Sequence, residues 1–342
     1  MSEVLRTAVR ILVCTWVASY LYSRLVARSL AVRKLRPTHF DVDGITFKEE
    51  HVQMVSVSTQ RLLVGALACA FSWSSVAAAS VKPPVPRLFA VEVTGKGTPM
   101  IFIPGFISSG AVWKGAVAHY STSHECHVLT LSGFAGEPPS NVTPFLPAVC
   151  DGIAAYIREH NFHEPVIVGH SLGGFVALWL AVREPDLVGK LVIVDGLPAP
   201  GAEGNTPISP EELNALAETM ATGFAKADST ARRRMLATMV TDSRLVETIA
   251  SWGDASDPAS ASKALRESMA SDLRADVGGI KSPTLVLGSG ASPDSAEVER
   301  NFRGQFENMK SWRLEIDWRA RHFIMYDDPE WMFEKMDAFL GR

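Results

Sequence analysis

Two short stretches hold residue types that could do covalent chemistry together. The first is Gly169-His170-Ser171-Leu172-Gly173-Gly174, set between an apolar run and a helical one. Gly-x-Ser-x-Gly in that setting makes a sharp, strained turn that pushes the serine hydroxyl out at the carboxyl end of a sheet. A serine hydroxyl is a weak nucleophile and needs a general base beside it. With this motif the base histidine comes late in the chain. The second stretch, Trp318-Arg319-Ala320-Arg321-His322-Phe323, supplies His322 after the last apolar run, and no other histidine follows His170. His170 itself reads as a packing residue and not as the base. Attack on a carbonyl creates an oxyanion that needs at least two fixed N–H donors, each worth about 2.7–4 kcal/mol of barrier. The Leu172 amide, at the start of the helix, is one candidate. The Phe106 amide is the other, because Gly105 in Pro104-Gly105-Phe106 permits close backbone approach. These residue types point to acyl transfer at Ser171.

The elements that must hold them in place follow from residue 86 onward, after the linker prolines Pro83, Pro84 and Pro86. Strands are predicted at 88–95, 100–105, 127–133, 165–171, 190–196, 283–289 and 312–318, with helices following most of them. Several runs are apolar throughout, as in strands buried on both faces. Strands alternating with helices imply an α/β fold, a mostly parallel central sheet with helices on both faces. One large domain is expected over 86–342. More than eighty residues without a strand signal separate 196 from 283, and structureless loops of that length are rare in compact domains. Ser209-Pro210-Glu211-Glu212 is a strong helix start. Helices are predicted at 210–224, 229–240, 243–252 and near 261–273, as a helical cap inserted over 199–262. Met220, Phe224, Met235, Met239 and Trp252 either line an apolar acyl pocket there or pack the cap on its base.

Residues 88–341 resemble the α/β-hydrolase superfamily, in its serine-nucleophile branch with a helical cap after the strand that the family counts sixth (190–196). Pro104-Gly105-Phe106, Gly169–Gly174, Val194–Pro198 and Arg321-His322-Phe323 carry the resemblance. Leu131–Gly136 departs from the family's Asp-x-x-Gly-x-Gly loop by lacking its aspartate. The resemblance also implies an acid that orients His322 and stabilises its charged form. In the common arrangement the acid follows the family's seventh strand (283–289), and the slot before Pro293 is Ser292, which carries no charge. Asp294 stands two residues on, where a helix start also favours an acid. Asp195 ends the sixth strand, a position used by pancreatic-type lipases and certain haloalkane dehalogenases. Asp195 is the preferred acid and Asp294 the alternative.

The chain of 342 residues is 47% hydrophobic and 20% charged, which fits a core-forming globular protein. The formal net charge of −4 gives no sign of nucleic-acid binding. Arg61, the apolar Leu62–Phe71 and Ala77-Ala78-Ala79 form the three parts of an export signal over 54–79, with cleavage expected before Ser80. Residues 1–53 then read as an extension of the frame upstream of Met54. Arg6, Arg10, Arg24 and Arg28 share a helical face, so membrane association would require that segment to be retained. A secreted or periplasmic location is expected. Cys126 and Cys150 are then either a disulfide or two buried thiols. His124-Glu125-Cys126-His127 cannot converge on a metal from one strand, since alternate residues face opposite ways. No metal or organic cofactor is implied.

The reading is a serine hydrolase acting on a small, apolar ester or related acyl substrate through an acyl-enzyme, its oligomeric state open. The alternatives are an inert binding or scaffold protein of the same fold, a cofactor-free haloperoxidase and a carbon–carbon hydrolase. Dehalogenase and epoxide hydrolase chemistry is disfavoured, because those relatives carry aspartate where Ser171 stands.

Overall fold

The computed structural model describes residues 87–291 and 294–342. The expected extension at 1–53, the export signal at 54–79 and Ser292 lie outside the described residues. Among those described, no helix is long and apolar enough to cross a membrane.

Seven strands form one sheet: β1 (Phe89–Gly95), β2 (Thr98–Ile103), β3 (His124–Leu131), β4 (Val166–His170), β5 (Lys190–Val194), β6 (Thr284–Ser289) and β7 (Trp312–Asp317). Their spatial order is β1-β3-β2-β4-β5-β6-β7, with β1 antiparallel to β3 and every other pair parallel. This is the expected α/β-hydrolase architecture, and the family's sixth and seventh strands are β5 and β6. β3 starts three residues earlier than its apolar run and stops at Leu131, because Gly133 takes φ +79° and turns the chain.

Alternation along the strands splits the core in two. Ile101, Ile103, Ile167, Leu191 and Ile193 face α2 (Phe145–Glu159) and α3 (Leu172–Arg183). Met100, Phe102, Val168, Val192 and Leu287 face α1 (Lys114–Tyr120) and the closing helix α10 (Pro329–Leu340). Cys126 belongs to the second layer and Cys150 to the first, so the sheet separates them and both are free, buried thiols. Burial pushes them up to about 11 and about 12, which keeps them protonated and inert. His127 turns away from Cys126, bonding Tyr156 and Glu125 on the other face.

Between β5 and β6 run α4 (Pro210–Lys226), α5 (Ser229–Met239), α6 (Arg244–Asp254) and α7 (Pro258–Met269). Ser209 and Glu212 form a reciprocal capping box at the start of α4. The expected end of the insertion at 262 falls inside α7. α7 also carries a tertiary contact. Glu267 accepts from the Phe145 and Leu146 amides at 2.8 and 2.7 Å, capping α2, whose own N-cap, Pro144, has no side chain that can do so. After β6 come α8 (Ser295–Gln305) and, after β7, the short α9 (Ile324–Asp327) that leads into α10.

Candidate active site

β2 and β4 are neighbours, but the chain runs from β2 outward to β3 on one side and on to β5 on the other. Strand order reverses between β2 and β4, and in open α/β sheets ligands bind in the crevice beyond the carboxyl ends at such a point. The loop after β2 carries Phe106, and the turn after β4 carries Ser171.

Ser171 has φ 51° and ψ −117°, a conformation that L-residues avoid. The strain persists because the surroundings leave no room for another path. A Cβ on Gly169 would meet the Gly173 carbonyl at 2.2 Å, and one on Gly173 would meet the Ile103 carbonyl at 2.3 Å. The Ser171 amide donates to Val194 at 2.9 Å, fixing the turn to β5. Ile107 (φ 46°) and Asp195 (φ 48°) are also in the left-handed region, so backbone strain gathers around this crevice.

The ends of β4, β5 and β6 lie in register, with His170 opposite Val194 and Val194 opposite Leu287. Asp195 is therefore the first residue beyond the sheet on β5. Its Oδ2 accepts from His322 Nδ1 at 2.6 Å and from Ser289 Oγ at 2.9 Å, and its Oδ1 accepts from the Ser289 amide at 2.8 Å. The side chain is only 11% exposed. Burial alone would raise the carboxyl, but the His322 and Ser289 bonds outweigh it and hold Asp195 below the usual carboxylate range. Asp294 is elsewhere: it is exposed and caps α8, accepting from the Glu297 amide at 2.9 Å. His322 thus meets Asp195 and not Asp294.

His322 is held from two further sides. His170 Nε2–H donates to the His322 carbonyl at 3.0 Å. Burial, then the neighbouring His322, pushes His170 down to about 3, so it stays neutral and acts as a fixed donor. Arg321 donates to the Ala237 and Val240 carbonyls at the end of α5, and the Phe323 amide donates to Met239. The histidine loop is therefore pinned to the inserted helices as well as to the sheet.

Ser171 and His322 line two cavities together with Phe106. A Cβ on Gly105 would meet Ser171 Cβ at 3.3 Å, so the Phe106 loop presses directly on the Ser171 turn. Among the described residues neither the Phe106 nor the Leu172 amide donates to another group, which leaves both N–H groups for a ligand. The enclosed cavity, about 90 Å³, is walled by Phe224, Met235, Met239, Ile249 and Phe323 among others. The more open one, about 270 Å³, extends past Leu197, Leu265 and Met269. Trp252 instead packs onto the core, and Met220 lines an outer cavity. Leu131–Gly136, the loop lacking the family's aspartate, buries Phe134 edge-on behind Phe106 at 5.9 Å between ring centroids. Ser289 had no signal in the sequence, since its partner is 94 residues away.

The chain matches the alpha/beta hydrolase family model over residues 100–335 and belongs to that family. It is similar to a pimeloyl-[acyl-carrier protein] methyl ester esterase of Vibrio cholerae serotype O1, 31% identical over 134 residues, which are 39% of this chain and 51% of the relative. The chain spans about half the length of the curated relatives it matches in this way. Among solved structures it is similar to a hydrolase from Pseudomonas aeruginosa (TM-score 0.62, 18% identity, 74% of this chain and 94% of that one). It is also similar to a bromoperoxidase from Bacillus anthracis (TM-score 0.64, 15% identity, 74% and 95%). At these identities the two structures speak for the fold alone.

Proposed function

We propose that the protein is a serine hydrolase that cleaves a carboxylic ester, with Ser171 as nucleophile, His322 as base and Asp195 as the orienting acid. The contact of His322 Nδ1 with Asp195 Oδ2 at 2.6 Å carries this reading. A carboxylate can only accept, so the ring proton sits on Nδ1 and leaves Nε2 free as base. Ser171 Oγ attacks the ester carbonyl while His322 Nε2 takes its proton. Asp195 stabilises the imidazolium that forms. The Phe106 and Leu172 amides receive the oxyanion. His322 then returns the proton to the departing alkoxide, leaving an acyl-serine and a free alcohol. Water, deprotonated by the same nitrogen, attacks the acyl-serine, and collapse releases the carboxylic acid and restores Ser171. The ester-cleaving relatives favour an ester as the acyl donor; a haloperoxidase or carbon–carbon hydrolase would use the same residues, and an inert scaffold would use none.

A fluorophosphonate probe followed by a panel of esters, lactones and amides tests the proposal. Labelling of the native protein at Ser171, absent in Ser171→Ala, together with ester turnover, is expected. A protein that neither labels nor turns over any ester belongs to the binding class. We propose further that the protein is exported with a mature start near Ser80, on the three-part signal at 54–79. N-terminal sequencing of the secreted protein that found residues 1–53 still attached would overturn this.

A further inference from the structure

The inserted helices hold a second apolar cavity of about 540 Å³ that does not reach Ser171. It shares four wall residues with the enclosed cavity that does: Phe106, Phe224, Arg232 and Met235. Three of the four cannot serve as a removable partition. Phe106 belongs to the loop pressed on the nucleophile turn. The Arg232 guanidinium is tied down on that wall, donating to the Ala227 carbonyl at 2.8 Å and standing 3.5 Å from Asp254. Met235 is 49% exposed and faces solvent. Phe224, near the end of α4, stands edge-on to Phe106 at 5.0 Å between centroids and lines both cavities. We infer that Phe224 sets the chain-length limit of the substrate: it closes the acyl pocket at a short chain and shuts off an outer apolar cavity that would hold a longer one.

This rests on the proposed ester hydrolysis. One physical argument assigns the acyl group to the enclosed lobe, and the volume of that lobe then sets the chain length. The acyl group stays bound to Ser171 while the alcohol leaves and water enters, so the departing group needs the lobe that opens outward, the one beside Leu197 and Met269. The enclosed lobe, about 90 Å³, is smaller than the roughly 150 Å³ cavity that accommodates benzene. It therefore suits an acyl chain of about four carbons. Each further methylene buried from water should be worth roughly fourfold in kcat/KM if there is room for it. Phe224 removes that room.

The test is a series of p-nitrophenyl esters with acyl chains of two to twelve carbons, run on the native protein, Phe224→Ala and Phe224→Leu. A parallel series of acetate esters varies the alcohol instead. The native protein is expected to peak near four carbons and fall at least tenfold by eight. Phe224→Ala should raise the ratio of the eight- to twelve-carbon kcat/KM to the acetate kcat/KM at least tenfold, and Phe224→Leu should fall between. Labelling rates with short and long alkyl fluorophosphonates should move in the same direction, without requiring turnover. An unchanged acyl profile with intact acetate hydrolysis overturns the gate and leaves the hydrolase reading standing. A shift confined to the alcohol series overturns the assignment of the lobes. A native protein that cleaves no ester and does not label removes both readings.

Discussion

The ends of β5 and β6 stand side by side in the sheet, and each is followed by an aspartate that could have served His322. Their fates differ. Asp195 comes immediately after β5, on a left-handed backbone, with its carboxylate turned into the crevice. Asp294 comes five residues after Ser289, exposed, and spends an oxygen on the first turn of α8. The end of β6 nevertheless takes part: Ser289 gives Asp195 two hydrogen bonds, one from its amide and one from its hydroxyl. The strand that lacks an acid in the usual slot holds the acid of its neighbour. A carboxylate needs fixed donors to stay ionised when buried, and β6 supplies them.

The sharpest way to break this comparison is to exchange each acid for its amide. Asp195→Asn is expected to lower ester turnover by about 10⁴-fold with the fold intact, the cost of the same change in serine proteases. Added to Ser171→Ala, it should cost almost nothing more, because members of such a unit are not additive. A further large loss in the double variant would mean that Asp195 supports the fold and not the reaction. Asp195 also makes an acid-side prediction. Its folded value is depressed, so its bonds contribute stability in full above the ordinary aspartate range. That contribution is lost as the pH falls through the depressed value. The stability gap between native protein and Asp195→Asn, measured by denaturant unfolding, should be constant above about pH 4 and close below it. A gap that widened in acid would contradict the depressed carboxyl.

Ser289→Ala tests the contribution of β6. It removes the hydroxyl bond and leaves the amide bond, and a hydrogen bond to a charged group is worth about 1.5–3 kcal/mol. A loss of roughly tenfold in kcat is expected, with little change in KM. A rise in KM alone would make Ser289 a wall of the substrate cavity.

The smallest effect belongs to Asp294. Asn caps a helix about as well as Asp, so Asp294→Asn should leave turnover within about twofold and stability nearly unchanged, whereas Asp294→Ala should cost about 1 kcal/mol of stability and no activity. A large loss of turnover in Asp294→Asn would reverse the assignment.

Much of this was legible before any tertiary information. The seven apolar runs and the four helices of the insertion followed from periodicity, caps and prolines, because those signals act within a few residues of chain. Ser171 and His322 were legible for the same reason, the first by its glycines and the second by its place after the last strand. The capping of α2 was not: its cap is Glu267 of α7, more than a hundred residues further along the chain.

The sequence by itself determined the layers of the sheet, the turn at Ser171 and a late histidine. Only the tertiary structure brought His322 to Asp195, gave Asp195 its two bonds from Ser289, parted Cys126 from Cys150 and put Phe224 on the walls of two cavities. The physical reason is range. Turns, caps and periodicity are decided by neighbours in the chain, whereas a buried carboxylate, a thiol or a pocket wall takes its character from atoms that strand register alone brings near.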